Sequence, residues 1–234
     1  MMLGARTGAW AKRGGGVPTA RDYVQDGLIA MWDGIENAGW GVHDPNATVW
    51  KDLIGSGYDF QIPSAGVEIK KDCIRKSIGA SISTILPETS RQEFSVEIVT
   101  NIINTASGSG IIWAANPMWV GGFLFYRSAG YFRFYYPWKF IINLNYSDNI
   151  GTKKSWSINW KPSAQNLFCD NSILASTQDK IDNRNILSRW FLGEFNGNNN
   201  SEVEYYCVRL YSRALTADEI ATNYAVDKAR FNLP

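Results

Sequence analysis

The chain has 234 residues, of which 45% are hydrophobic and 14% aromatic, with 23 basic and 22 acidic side chains. This length is typical of one large all-β domain, which buries enough apolar surface to fold without disulfides or metals. The balanced charge argues against a general attraction to nucleic acid, and no apolar run approaches the roughly 18 residues that span a membrane. We therefore expect neither a nucleic-acid partner nor membrane insertion.

Residues 1 to 22 are predicted to form an extended N-terminal arm, and residues 23 to 234 a single domain. The first 21 positions carry four basic residues and no acid, and three consecutive glycines interrupt any periodicity. The arm is either a flexible linker or a tether that docks on a partner, with Trp10 as its anchor. The first 20 residues also lack the apolar stretch of a secretory signal.

The domain begins with a strand over residues 28 to 32, whose apolar residues predict burial on both faces. A loop over residues 34 to 47 follows and contains Trp40 and the single histidine, His43. His43 has no catalytic partner that the sequence identifies, so a structural role is the simpler interpretation.

Asp52 precedes two glycines, which predicts an Asx-type turn in which its carboxylate accepts backbone N–H groups. Asp52 or Asp59 could instead ligate calcium. No dense run of alternating oxygen ligands surrounds them, so we expect no metal and no other cofactor.

Two strands with period-two spacing are predicted to supply the core. Phe94, Val96, Ile98 and Ile102 lie on one face of the first, and the second places Trp156, Ile158 and Trp160 inward. Short strands separated by Gly/Asn turns, without βαβ alternation, indicate an antiparallel sandwich.

Residues 111 to 146 include thirteen aromatic side chains. The pattern predicts a strand over 123 to 126, a strand over 131 to 136 and a third that begins after Pro137. Alternation in the middle strand puts Tyr131, Arg133 and Tyr135 on the side that faces solvent or a ligand.

The chain ends with a strand over residues 202 to 211 and a helix. Strict alternation would place Tyr206, Val208 and Leu210 on the core side and Tyr205 on the opposite side. Thr216 then reads as a helix N-cap, with Glu219 completing a capping box.

These ends also carry a resemblance to a known family. Residues 208 to 220 (Val-Arg-Leu-Tyr-Ser-Arg-Ala-Leu-Thr-Ala-Asp-Glu-Ile) resemble the C-terminal signature of the concanavalin A-like, laminin-G-like lectins. Residues 26 to 34 and 50 to 59 resemble the first core strand and the Trp-x-Asp-x-x-Gly-x-Gly turn of that family. Residues 166 to 175 resemble the family's hairpin around a Val-Asp-Gly turn, which is at positions 169 to 171 here. The resemblance implies an all-β concanavalin A-like antiparallel β-sandwich (jelly roll) with a short C-terminal helix and the extended N-terminal arm.

Catalysis is not expected, although the fold also hosts glycoside hydrolases. Glycoside hydrolases of this fold carry a strand with the motif Glu-x-Asp-x-Glu or Glu-x-Asp-x-x-Glu, and this spacing brings two carboxylates close together. The nearest match here, Glu202 and Glu204, lacks the middle Asp and the third acid, and Glu93 with Glu97 has the wrong spacing. Three widely spaced cysteines suggest neither a disulfide framework nor a metal knot.

Sugar binding is the leading use of the fold, because pyranose rings stack on exposed aromatic side chains. The candidate ligand-binding residues are Trp40, Trp119, Tyr135 and Trp138. We expect a non-catalytic carbohydrate-binding or adhesion module that recognises a cell-surface glycan.

A lectin fold without an export signal suggests a bacteriophage protein, located in a capsid decoration, fibre or tail at the virion or extracellular surface. The arm would then contact sister subunits or other virion proteins, in a homo-oligomer. A purely structural virion assembly protein is the alternative, and a glycoside hydrolase of the same fold is a more remote one.

Overall fold

The computed structural model describes residues 16–86, 93–106, 110–115, 123–128, 131–136, 139–145, 149–178, 189–195 and 197–234. They form a 3-10 turn (Ala20–Asp22), strands and a C-terminal helix, α1 (Ala217–Phe231). The strands are β1 (Leu28–Asp33), β2 (Val49–Trp50), β3 (Phe60–Gln61), β4 (Val67–Ile69), β5 (Ile74–Lys76), β6 (Ile82–Ile85), β7 (Phe94–Thr105), β8 (Gly110–Ala115), β9 (Phe123–Ser128), β10 (Tyr131–Tyr136), β11 (Lys139–Asn145), β12 (Lys153–Lys161), β13 (Ala164–Cys169), β14 (Ser172–Thr177), β15 (Arg189–Leu192) and β16 (Ser201–Tyr211).

The strands form two antiparallel sheets, which we call the first and second sheets. Among the described residues each sheet has eight strands. The first sheet has the order β14-β13-β12-β7-β16-β5-β4, with β1 also paired to β16, and the second has the order β11-β10-β9-β8-β15-β6-β3-β2. The predicted all-β antiparallel sandwich with a short C-terminal helix is confirmed.

The core lies between the sheets and contains the alternating residues that the sequence indicated. Phe94, Val96 and Ile98 of β7 are buried in one cluster with Trp156 and Ile158 of β12. Val208 and Leu210 of β16 belong to the same cluster. Aromatic contact joins the two sheets, since the Phe125 and Trp156 ring centroids are 5.1 Å apart.

The predicted hairpin after β12 is also present. Its strands β13 and β14 pair from Cys169 and Ser172 outward. Asp170 and Asn171 between them have φ values of 47° and 65°. Asn and Asp tolerate this left-handed region better than other non-glycine residues, and a two-residue turn between twisted strands requires it.

Tyr205 and Tyr206 lie on the opposite sides of β16 from those that strict alternation predicts. A register shift between Tyr205 and Cys207 places one extra residue opposite β7. Such a bulge reverses the alternation locally. Tyr205 therefore faces the core, where its hydroxyl donates to the Ile111 carbonyl at 2.7 Å, and Tyr206 faces outward against Phe231. The predicted positions of Tyr205 and Tyr206 were wrong for this reason.

Helix α1 begins with the capping box that the sequence predicted. The Thr216 hydroxyl accepts from the Glu219 amide at 3.3 Å, and Glu219 accepts from the Thr216 amide at 2.8 Å. The Arg213 guanidinium also binds Glu219 and, although partial burial acts against it, holds the pKa of that carboxyl at about 2. No helix among the described residues is both long and apolar enough to cross a membrane.

A buried ionic cluster fixes α1 on the outer face of the first sheet. Arg209 of β16 is fully buried and donates to Glu97 of β7 at 2.9 Å. Its other nitrogens donate to the two carboxylate oxygens of Asp227 in α1 at 2.7 and 2.8 Å. Burial raises the pKa of Glu97, which the positive charge of Arg209 opposes. One guanidinium thus joins two strands to the helix.

The chain that enters β1 is attached to the same cluster. The Tyr23 hydroxyl donates to Asp227 at 2.8 Å, and the Arg209 guanidinium carbon lies 3.9 Å from the centre of the Tyr23 ring. The Val24 amide donates to Asn223 of α1 at 2.8 Å. Ala20, earlier in the same segment, is buried in a cluster with Val226 and Phe231 of α1. The described end of the predicted arm therefore lies against the domain, while residues 1 to 15 fall outside the described residues.

We predict that Arg209→Met destabilises the domain by roughly 3–5 kcal/mol, because it leaves two buried carboxylates without their cation. Urea denaturation followed by circular dichroism measures the change. Replacing Glu97, Arg209 and Asp227 together by Met, Met and Leu should restore much of the loss, since no buried charge then remains. A cost of less than about 1 kcal/mol for Arg209→Met would contradict the role given to this cluster.

Candidate functional site

A cleft lies at one open edge of the sandwich, where the terminal strand of each sheet comes close to the other. Its volume is about 430 Å³. The walls are the segment before β2, the segment after β3, and β4. Strand β2 ends the second sheet and β4 ends the first, so the cleft opens between the two sheets. The size is appropriate for a small ligand or for the terminal units of a larger one.

The lining combines apolar walls with a few polar groups. Its polar side chains are Asn46, Thr48, Ser64 and Glu68, and all four are exposed. None of them hydrogen-bonds through its side chain to another residue that the structure describes. The apolar walls are formed by Pro45, Ala47, Ile62, Pro63, Val67 and Ile69. An amide and two hydroxyls are thus available to a ligand with several hydrogen-bonding groups, while Glu68 lies opposite Arg75 in the β4–β5 ladder.

Local hydrogen bonds hold the first wall in place. Asn37 and the Asp44 backbone bond reciprocally, with the Asn37 amide donating to the Asp44 carbonyl at 2.8 Å and accepting from the Asp44 amide at 2.9 Å. The Asp44 carboxylate then accepts from the backbone N–H of Asn46 at 2.8 Å, which forms an Asx turn. The Thr48 carbonyl accepts from the Ile62 amide at 3.0 Å, which joins this wall to the next.

The second wall depends on a glycine and on a hairpin. Gly66 has a φ of 75°, and a side chain there would also place a Cβ only 2.9 Å from the Ala80 Cβ. Its carbonyl accepts from the Ser77 amide at 2.8 Å. Beyond it β4 pairs with β5, and Val67 packs against the core. Both walls are therefore ordered without a ligand, which lowers the entropic cost of binding.

Trp40, a sequence-predicted site residue, lies on the loop between β1 and β2 and is half-buried. The guanidinium carbon of exposed Arg21 lies 4.1 Å from the centre of the ring. The Trp40 ring also packs against the cluster under α1. A sugar would have to displace Arg21 to stack on it, so the structure does not offer Trp40 as an open platform.

The other predicted site residues lie in the aromatic-rich part of the chain. Trp119 and Trp138 lie outside the described residues. Tyr135 is in β10, opposite Leu124 of β9, but its side chain also lies outside what the structure describes. Tyr131 of the same strand is 44% exposed, which agrees with the predicted solvent-facing side of β10. The roles of Trp119, Tyr135 and Trp138 in binding therefore stay predictions.

The two carboxylates that came nearest to a hydrolase pattern are engaged in ion pairs. Glu202 binds the Arg75 guanidinium, with Nε at 3.0 Å. Glu204 accepts from Lys70 at 2.7 Å, from Asn101 at 3.0 Å and from the Tyr206 hydroxyl at 2.9 Å. Partial burial acts against ionisation, but these hydrogen bonds hold the pKa of Glu204 below its usual value. A general acid in glycoside hydrolysis needs the opposite shift.

The aspartates considered for calcium accept hydrogen bonds instead. Asp52 accepts from the Met31 amide at 3.0 Å, from Ile54 at 3.1 Å and from Ser56 at 2.9 Å, which confirms the predicted turn. Asp59 binds Lys51 at 2.6 Å. The three cysteines are free thiols, and no group of three or more potential metal ligands occurs among the described residues.

Sequence reasoning did not identify the cleft. The segments Pro-Asn-Ala-Thr (45 to 48) and Pro-Ser (63 to 64) each place small polar residues beside a proline. That pattern is common in ordinary turns. The pairing of β2 with β3 brings the two segments together.

No family model matches the chain, and no curated protein sequence matches it. Solved structures do match it. The Trypanosoma rangeli sialidase in complex with sialic acid aligns at a TM-score of 0.62 and 16% identity, over 92% of this chain and 34% of its own. The ligand-binding domain of botulinum neurotoxin serotype D in complex with N-acetylneuraminic acid aligns at 0.65 and 15% identity, over 86% of this chain and 51% of its own.

The binding domain of Paraclostridial mosquitocidal protein 1 aligns at a TM-score of 0.64 and 16% identity, over 86% of this chain and 52% of its own. This chain thus spans between 34% and 52% of the length of these three matched chains. Identities this low show a shared fold and leave the ligand open. The chain is similar in fold to the β-sandwiches of these proteins.

Proposed function

We propose that this chain is a non-catalytic carbohydrate-binding module and that its glycan occupies the edge cleft. The observation that carries the proposal is the lining of the cleft. Asn46, Thr48, Ser64 and Glu68 surround a concave space with apolar walls, and their side chains have no hydrogen-bond partner among the residues that the structure describes. A pyranose has the matching surface, since it carries a ring of hydroxyls that donate and accept and C–H faces that pack on apolar atoms.

The fold likeness supports the class of ligand. Two of the similar structures, the serotype D domain and the T. rangeli sialidase, were solved with sialic acid bound. Sandwiches of this shape thus serve proteins that handle sugars, although fold alone does not assign a ligand. Membership of the concanavalin A-like, laminin-G-like lectins rests on the two end motifs and remains part of the proposal.

Location on a bacteriophage virion is the finer part of the proposal. Its support is the basic, glycine-rich segment over residues 1 to 21, which suits attachment to a larger assembly. A structural assembly protein that binds no glycan would share this segment. Glycan binding distinguishes the two.

We predict that Thr48→Trp weakens glycan binding at least tenfold, because the indole fills the cleft while the hydrogen bond from the Ile62 amide to the Thr48 carbonyl remains. A glycan array identifies the ligands of the wild type, and calorimetry on the best of them should show at least a tenfold loss, the scale of losing one or two hydrogen bonds to the sugar. Thr152→Trp, a matched change at an exposed turn elsewhere, should bind as the wild type does.

Trp138→Ala provides the competing test. Loss of binding in Trp138→Ala with normal binding in Thr48→Trp would move the site to the aromatic region that the sequence favoured. If the wild type binds no glycan on the array, the assembly alternative replaces the proposed function.

The proposal that the chain is not a hydrolase gives a separate prediction. Incubation with β-glucans should release no reducing sugar, because Glu202 and Glu204 are held in ion pairs. A reducing-end assay measures this directly. Release that disappears in Glu204→Gln, in protein that still folds, would show that the chain is a hydrolase.

A further inference from the structure

We infer that the edge cleft recognises the acetamido group of an N-acetylated sugar, and that the methyl of this group packs on the inward face of β4. This inference rests on the proposed function, since it names the class of glycan for the same site. A plain hexose, which carries a hydroxyl in place of the acetamido group, should bind more weakly.

The β4 side chains that face the cleft are identified by their partners in β5. Val67 is directly opposite Lys76, which is fully buried and donates to the Gly193 carbonyl, just after β15 of the second sheet, at 2.8 Å. Ile69 is directly opposite Ile74, which is buried in the core between the sheets. Side chains of directly opposite residues lie on the same face of a sheet. Val67 and Ile69 therefore face the second sheet, toward the space in which the cleft opens.

Glu68 lies on the other face of β4. It is opposite Arg75, whose guanidinium binds Glu202, with Nε at 3.0 Å. Successive side chains of a strand alternate between its faces, so this carboxylate is directed away from Val67. The surface that β4 turns toward the cleft is thus aliphatic.

The apolar surface of the cleft has the shape for a methyl group. No aromatic side chain is among the described residues that line it, and its apolar residues are Pro45, Ala47, Ile62, Pro63, Val67 and Ile69. An aromatic ring offers a flat face to a sugar ring, whereas branched aliphatic side chains on two walls enclose a small projecting group. The methyl of an acetamido group is such a group, and its burial should raise affinity about fourfold.

The aliphatic side chains on both walls are held in place. Ile62 and Val67, one from each wall, are partly buried and pack against the core cluster. Their positions therefore do not depend on a ligand, and little side-chain entropy is lost when a methyl group packs on them.

The polar groups of the lining match the rest of an acetamido group, which has an N–H donor and a carbonyl acceptor beside its methyl. Asn46, Thr48 and Ser64 line the cleft, and their side chains have no hydrogen-bond partner among the described residues. The amide and both hydroxyls can donate and accept, so one can serve the N–H and another the carbonyl. Each such hydrogen bond contributes about twofold to tenfold in affinity.

The first test uses calorimetry on the wild type with three ligands in each of two series. The ligands are the methyl glycosides of N-acetylglucosamine and N-acetylgalactosamine, their N-formyl analogues, and the parent glucoside and galactoside. In the better series the N-acetyl ligand should bind at least about tenfold more tightly than the parent hexose. The N-formyl analogue keeps the N–H and the carbonyl but lacks the methyl, so it should bind about fourfold more weakly than the N-acetyl ligand.

The second test replaces a methyl of the protein. Val67→Thr keeps the shape of the side chain but puts a hydroxyl where the ligand methyl packs, so it should reduce the N-acetyl preference severalfold and leave hexose binding unchanged. Val42→Thr is the same change at a loop position that is 50% exposed, away from the cleft, and should alter neither. Circular dichroism verifies that both variants fold.

The outcomes separate the inference from the proposed function. Equal binding of N-acetyl and parent ligands in both series, equal binding of N-formyl and N-acetyl ligands, or an unchanged preference in folded Val67→Thr overturns the inference, while Thr48→Trp still tests the site. If Val67→Thr does not fold, the N-formyl comparison on the wild type decides. If Thr48→Trp binds the N-acetyl ligand as the wild type does, the cleft is not the site and both fail.

Discussion

The buried guanidinium of Arg209 is the interaction on which the rest of the structure depends. It sits with no exposed surface between Glu97 of β7 and Asp227 of α1, so helix and sheet can separate only by exposing charges that lack partners. We infer that this cluster selects one packing of helix on sheet, since competing packings would leave a charge unpaired. Tyr23 extends the constraint to the chain entering β1. The first sheet is thereby covered by α1 on its outer face and by the second sheet on its inner face.

With both faces of the first sheet occupied, access for a ligand is found at the edges and loops of the sandwich. The edge where β2 and β4 end the two sheets is such a place. There an Asx turn at Asp44 and a left-handed glycine at position 66 fix the conformations of the two loops. The core supplies rigidity and the loops supply chemistry, a division that lets one fold serve many ligands.

The features that the sequence predicted correctly are those encoded over short distances. Alternation placed Val208 in the core, and Thr216 with Glu219 identified the start of α1, because period and capping depend on neighbours in the chain. Tyr205 and Tyr206 were assigned to the wrong faces, because a bulge has no reliable signal of its own in one sequence. The ionic cluster and the cleft were not predicted, because each joins residues that meet only after the sheets have paired. Arg209 and Glu97, for example, are 112 positions apart.

The most direct test of the central claim, that a glycan binds in the edge cleft, is an NMR titration of the ¹⁵N-labelled protein with the best glycan from the array. The account predicts that the amide shifts cluster at positions 45 to 48 and 62 to 69, on both walls of the cleft, and that the signals of α1 stay unchanged. Shifts concentrated on β10 around Tyr131, or around Trp40, with none in the cleft, would contradict it.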